Sequence, residues 1–192
     1  MYARGDGFHA YSGRTYEKVR RLREGKRLEE QDRKEAIKVN RNLIQNFKHT
    51  PLGKPHDVQY IYRGVDLRHA KPYAKGLLFI ESKSYMSFSK FQSVAAGFPK
   101  NGNRDQGILA LNFNIIPRRT PVIYNGMWGM KSKNPREGEV LLPPGIIIFS
   151  STPNKSRNYG KKYYDVKRFI PSKLYPFLQI RRALQWNDAL EW

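Results

Sequence analysis

Beyond residue 50 the chain falls into short runs of β-branched and aromatic residues separated by turn-forming Gly, Pro and Asn, a pattern that commits it to a sheet-rich fold. Val58–Val65 reads as a strand ended by Gly64, and Leu77–Ile80 as a short strand. Gly107–Ile116 is a clear one, and Pro121–Tyr124 another. Glu139–Phe149 reads as a strand bent at Pro143-Pro144-Gly145, and Tyr163–Ile170 as the last strand. Ahead of them Thr15–Lys48 is helical, divided at Gly25 and ended by Pro51 and Gly53. Ala36, Ile37, Asn40, Leu43, Ile44 and Phe47 recur at helical spacing and mark a core-facing stripe. Helices first and many short strands afterwards predict an α+β domain with a predominantly antiparallel sheet. Met1–Arg14 reads as a loose arm, His69–Lys75 as a short helical turn, Val94–Phe98 as a short helix and Pro171–Trp192 as a C-terminal helix. No repeat or linker divides the 192 residues, and 39% hydrophobic content suffices for a single core.

Several function classes drop out. The chain has no Cys, so neither a disulfide framework nor a thiolate metal site is expected. Its four His residues are scattered, and no metal is expected. Met1–Lys18 lacks the apolar region of a signal peptide, and runs such as Ile146–Phe149 are too short to span a bilayer. The expectation is a soluble monomer in the cytoplasm, a host cell's included, with no membrane contact. The net charge of +20 and pI near 10.2 favour polyanionic partners: nucleic acid, ribosomes, acidic proteins or a dinucleotide. The basic residues Lys18, Arg20, Arg21, Arg23, Lys26 and Arg27 read as a solvated face.

Three motifs carry chemistry. Glu137 and Glu139 flank Gly138 directly before an apolar run; on a strand they share one face. Paired carboxylates can divide two tasks, one steadying positive charge and the other taking a proton, or they can simply form a solvated strand edge. Arg63 ends an apolar run and needs a partner there, either a carboxylate or a phosphate. In Tyr85-Met86-Ser87-Phe88-Ser89 the two serines share one strand face. Trp128, in the Gly-rich loop Asn125–Arg136, either folds back on the core or faces a partner.

Taken in order, Tyr62-Arg63-Gly64, Tyr85-Met86-Ser87-Phe88-Ser89 and Glu137-Gly138-Glu139-Val140-Leu141-Leu142-Pro143-Pro144-Gly145 resemble the Arg-Ser-Glu class of mono-ADP-ribosyltransferases, related to the cholera-type and C2/C3-type toxins. The resemblance implies a split antiparallel β-sandwich with an N-terminal helical part and an NAD cleft between two sheets. It covers residues 36–170, leaving a basic segment 1–35 and an extension 171–192 outside the catalytic domain. It implies Arg63, Gly64, Ser87, Ser89 and Glu139 as the NAD-binding set. Arg63 grips phosphate, Ser87 fixes the nicotinamide ribose, and Ser89 supports it. Glu139 holds the ribose 2′-hydroxyl and stabilises the cation formed as nicotinamide leaves, while Glu137 deprotonates the acceptor. The Pro99–Gln106 loop closes over the dinucleotide, and Trp128 with Glu137 meets the target. In this class Glu at the first motif position goes with arginine as acceptor, so the implied partner is a protein bearing a reactive arginine, acidic or bound to nucleic acid. Phe88 stands where the class usually has Thr, facing away from NAD. NAD hydrolysis, ADP-ribosyl transfer to nucleic acid, and a catalytically inactive basic nucleic-acid-binding protein are the alternatives.

Overall fold

The computed structural model describes residues 9–49, 58–98, 105–124, 135–154 and 162–172. Trp128, loop residues 99–104 and the expected C-terminal helix beyond Ser172 lie outside them. Helices come first. A π-helical turn, Tyr11–Thr15, runs directly into a helix over Tyr16–Arg23, and a longer helix covers Glu30–His49. The segment expected to be a loose arm is therefore helical from His9. Its anchor is Tyr11, buried edge-on to Tyr85 with ring centroids 5.5 Å apart. One aromatic burial fixes a stretch that has no periodicity of its own. Gly25 adopts φ 73°, a left-handed conformation that stops the first helix. The long helix buries Ala36, Val39, Leu43, Ile44 and Phe47. Together with Val19, most of these pack on Tyr85 and on Ile123 and Leu141 of the sheet. Arg23 does not join the solvated face expected for it. Its Nε donates to the Lys83 carbonyl, its Nη1 to Asn40 Oδ1, and its guanidinium lies 4.6 Å from the Tyr85 ring centroid.

Among the described residues nine strands follow: β1 (Tyr60–Asp66), β2 (Lys71–Ala74), β3 (Leu77–Ser82), β4 (Met86–Ser89), β5 (Gln106–Asn112), β6 (Ile123–Tyr124), β7 (Glu139–Leu142), β8 (Gly145–Ser150) and β9 (Tyr163–Pro171). They lie in the order β2-β3-β8-β9-β5-β1-β4-β7-β6. All pairings are antiparallel except β5 with β9. β9 serves both halves, with Tyr163–Asp165 beside β5 and Val166–Pro171 beside β8. The halves share one core: Ile61, Leu109, Met86 and Val140 from one, Ile147, Phe149 and Phe169 from the other. The α+β expectation holds, with the sandwich continuous through β9. No helix among the described residues is long and apolar enough to cross a membrane.

Three local expectations are corrected. Lys71–Ala74 is an edge strand, and only Leu67–His69 makes a 3-10 turn. Pairing with β3 and the edge-on contact of Tyr73 with Phe79 hold it extended. Residues 139–149 form two strands in different halves, because Pro143 and Pro144 offer no N–H to a ladder. Gly64 lies inside β1, which continues to Asp66. It is glycine because of the short helix Gln92–Ala96 that follows β4: a Cβ there would meet the Ala95 carbonyl oxygen at 2.6 Å and overlap that of Phe98.

Candidate active site

β4 pairs with β7 along its whole length, whereas β1 meets β4 only at Tyr62↔Ser89. Where β1 and β4 part, a side chain supplies the missing donor: Arg63 Nη1 donates to the Ser87 carbonyl. The guanidinium carbon also lies 5.9 Å from the Phe88 ring centroid. Burial disfavours the charged form of Arg63 and lowers its pKa. Within the protein the Arg63 guanidinium is held by a backbone carbonyl and by no carboxylate among the described residues.

Glu139 opens β7 opposite Ser89 and is 7% exposed. Ser87 Oγ donates to its Oε1 at 2.7 Å. Burial pushes its pKa from 4.5 to about 7; the Ser87 hydrogen bond works against that rise, and the Glu137 charge adds to it. The arrangement joins a carboxylate that titrates near neutrality to a hydroxyl that orients it, beside a guanidinium with no carboxylate of its own among the described residues. Such a set suits an anionic substrate on which positive charge develops during reaction. Ser87→Ala removes the one neighbour that holds the pKa down. The Glu139 titration is then expected to move above 7, read from the carboxyl carbon shift in a labelled protein; no movement, or a downward one, would contradict the hydrogen bond's role.

Glu137 does not share a strand face with Glu139. It ends a 3-10 turn over Pro135–Glu137, and Gly138 turns the chain into β7 at φ 54°. The two carboxylates are neighbours through this bend, which only glycine adopts readily. Three bonds hold the bend against the end of β4. Ser89 Oγ donates to the Glu137 carbonyl, the Lys90 N–H donates to the Gly138 carbonyl at 3.0 Å, and the Phe91 N–H donates to Ser89 Oγ at 2.9 Å. Ser89 therefore acts on the backbone of the motif.

Sequence reading missed three participants. Tyr11, from the supposed arm, is fully packed, and its hydroxyl donates to the Tyr85 carbonyl at 3.2 Å, within electrostatic reach of both Arg63 and Glu139. Gly138 was signalled by a glycine between two glutamates. Phe91 was signalled only by an aromatic directly after the second serine. No group of three or more metal-ligating side chains occurs among the described residues.

The fold has solved counterparts. The Vis toxin, an ADP-ribosyltransferase from Vibrio splendidus, is 14% identical over 90% of this chain and 75% of its own, with a TM-score of 0.58. Vis is also known in complex with agmatine. Exoenzyme S from Pseudomonas aeruginosa, solved with a human 14-3-3 protein and carba-NAD, is 16% identical over 83% of this chain and 70% of its own, with a TM-score of 0.51. A variant of the eukaryotic mono-ADP-ribosyltransferase ART2.2 in complex with NAD is 17% identical over 88% of this chain and 66% of its own, with a TM-score of 0.53. No family model matches the sequence, and neither does any curated protein. At these identities the likeness concerns architecture: the chain has the fold of the mono-ADP-ribosyltransferases.

Proposed function

We propose that the protein transfers ADP-ribose from NAD to arginine side chains of a target protein and releases nicotinamide. The observation that carries this reading is the convergence of Arg63, Ser87 and Glu139 where β1 and β4 part, with Glu137 one bend away. Arg63 would exchange its carbonyl partner for a phosphate oxygen of NAD, a stronger charge-assisted bond in a buried setting. Ser87 orients the Glu139 carboxylate. In its ionised form Glu139 accepts the ribose 2′-hydroxyl and stabilises the positive charge that grows as the glycosidic C–N bond breaks. Nicotinamide departs with the bonding electrons. A guanidino nitrogen of the acceptor then bonds the anomeric carbon, and its proton passes to Glu137. Two neighbours of the same fold support the substrates chosen: ART2.2 is known with NAD, and Vis with agmatine, which carries the guanidinium of an arginine side chain. Trp128 would contribute to target recognition, and the +20 charge favours a target that is acidic or bound to nucleic acid.

The test is incubation with labelled NAD and a cell lysate, beside Glu139→Ala. Glu139-dependent label on protein, released by concentrated hydroxylamine and by no milder treatment, is the expected result. Label on nucleic acid, or free ADP-ribose alone, would replace the arginine acceptor, and absence of NAD turnover would remove the enzyme reading. A second variant separates the two carboxylates. Glu137→Ala is expected to lower arginine transfer by at least about a hundredfold, the usual worth of a positioned base, and to lower NAD hydrolysis far less. Equal losses in both assays would break the division of roles.

A further inference from the structure

We infer that the Phe91 ring is the platform on which the acceptor guanidinium stacks, with the Glu137 carboxylate closing over its N–H groups. The inference rests on the arginine-transfer reading above and specifies how that site recognises its acceptor. Phe91 leaves β4 two residues after Ser89 and is 50% exposed. Its ring edge lies across Gly138, whose Cβ position is 2.8 Å from Phe91 Cε2. A half-exposed aromatic therefore borders the bend between the two glutamates. The Phe91 backbone is anchored to the same group as the bend. The Phe91 N–H is tied to Ser89 Oγ, and that same hydroxyl is tied to the Glu137 carbonyl. The backbones of Phe91 and Glu137 are therefore positioned by one hydroxyl, that of Ser89.

Glu137 is the complementary half. It is partly exposed, and among the described residues its carboxylate has neither a hydrogen-bond nor an ion-pair partner. The nearby cation on the same turn is turned elsewhere: Lys90 directs its ammonium to the Tyr124 ring, 5.7 Å from the centroid. An aromatic face beside an unpaired carboxylate is a recognition pair for a planar cation. The ring quadrupole attracts the guanidinium face, and the carboxylate takes its in-plane N–H groups. A compact ammonium has neither the flat face nor the in-plane fork that match the two surfaces together, so the pair favours arginine over lysine.

The experiment measures binding of agmatine and of cadaverine, its ammonium counterpart, by titration calorimetry without NAD, in the wild type, Phe91→Leu, Phe91→Trp and Phe91→Ala. Steady-state transfer to agmatine is measured beside it. The wild type is expected to prefer agmatine. Phe91→Leu keeps apolar volume without a ring and is expected to weaken agmatine binding about two- to thirtyfold, the span of a cation–π contact from exposed to desolvated settings. The preference over cadaverine then disappears, and Phe91→Trp restores it. Unchanged agmatine affinity in Phe91→Leu and Phe91→Ala would overturn the platform even with transfer intact. So would a matching loss of NAD affinity, which would assign the ring to the dinucleotide. Agmatine binding that depends on Phe91 in a protein that never cleaves NAD would keep the platform and overturn the enzyme. A wild type that neither binds agmatine nor modifies it would overturn both.

Discussion

Gly64→Ala is expected to lower folding stability by at least about 3 kcal/mol, read as an earlier urea midpoint with an unchanged slope. The reason is a collision with backbone. The added methyl would overlap the Phe98 carbonyl oxygen and come within 2.6 Å of that of Ala95. Side chains relieve such contacts by rotating, but these are backbone oxygens, one in the Gln92–Ala96 helix and one at Phe98 just beyond it, and they move only if that segment lifts from β1. Lifting it would also loosen the packing of Ala95 on Ile108 and Tyr163. The neighbouring Arg63 would lose its register against Ser87, and if Arg63 holds a phosphate of NAD as proposed, NAD binding weakens along with stability. A variant as stable as the wild type would mean that the helix is free to shift, and Gly64 would then have no structural claim on glycine. Gly76→Ala is the contrast. It lies in a turn at φ 73° with open space around its Cβ, so only the modest cost of a left-handed alanine applies, about 1 kcal/mol.

Gly64 also marks the boundary of what the sequence makes legible. That a helical half precedes an antiparallel sheet follows from apolar spacing, because 3.6- and 2-residue periods record which face is buried. The serine alternation of β4 was legible for the same reason, with Met86 and Phe88 in the core and Ser87 on the site side. What periodicity cannot record is the distance between elements remote in sequence. A glycine that admits a helix and a glycine that ends a strand look alike in one dimension. So do an unanchored arm and one fixed by a single tyrosine against Tyr85. The relation of Glu137 to Glu139 was hidden similarly. Spacing by two suggests a shared strand face, but one left-handed glycine turns the pair into a bend. The position of Arg63 pointed to a missing partner, and the pairing of β1 with β4 at a single point is what leaves the Ser87 carbonyl to fill that role.

Glu139→Gln should separate stability from activity in opposite directions. The carboxyl is raised from 4.5 to about 7, chiefly by burial, so the folded state holds its proton more tightly than the unfolded state does. Between those pH values the unfolded chain has released a proton that the folded chain keeps, and stability falls as pH rises. The loss is complete above 7 and amounts to about 3 kcal/mol for a difference of this size. A neutral amide escapes it and still accepts the Ser87 hydroxyl. At pH 8 the variant is therefore expected to melt above the wild type, and at pH 4 the two should converge. Activity should run the other way. If the ionised carboxylate stabilises the departing nicotinamide's cationic counterpart, wild-type kcat/KM for NAD rises with pH and levels off above about 7. The glutamine variant should be slower by about a hundred- to a thousandfold, with no such rise. Melting curves at the two pH values and NAD turnover across the same range check both halves. A variant no more stable at pH 8 would show that the carboxyl is solvated in the folded protein. A stabilised variant that still cleaves NAD would leave the burial intact and remove Glu139 from the chemistry. The expected combination, a gain in stability with loss of turnover, means that the fold holds a costly charge in place because the reaction uses it.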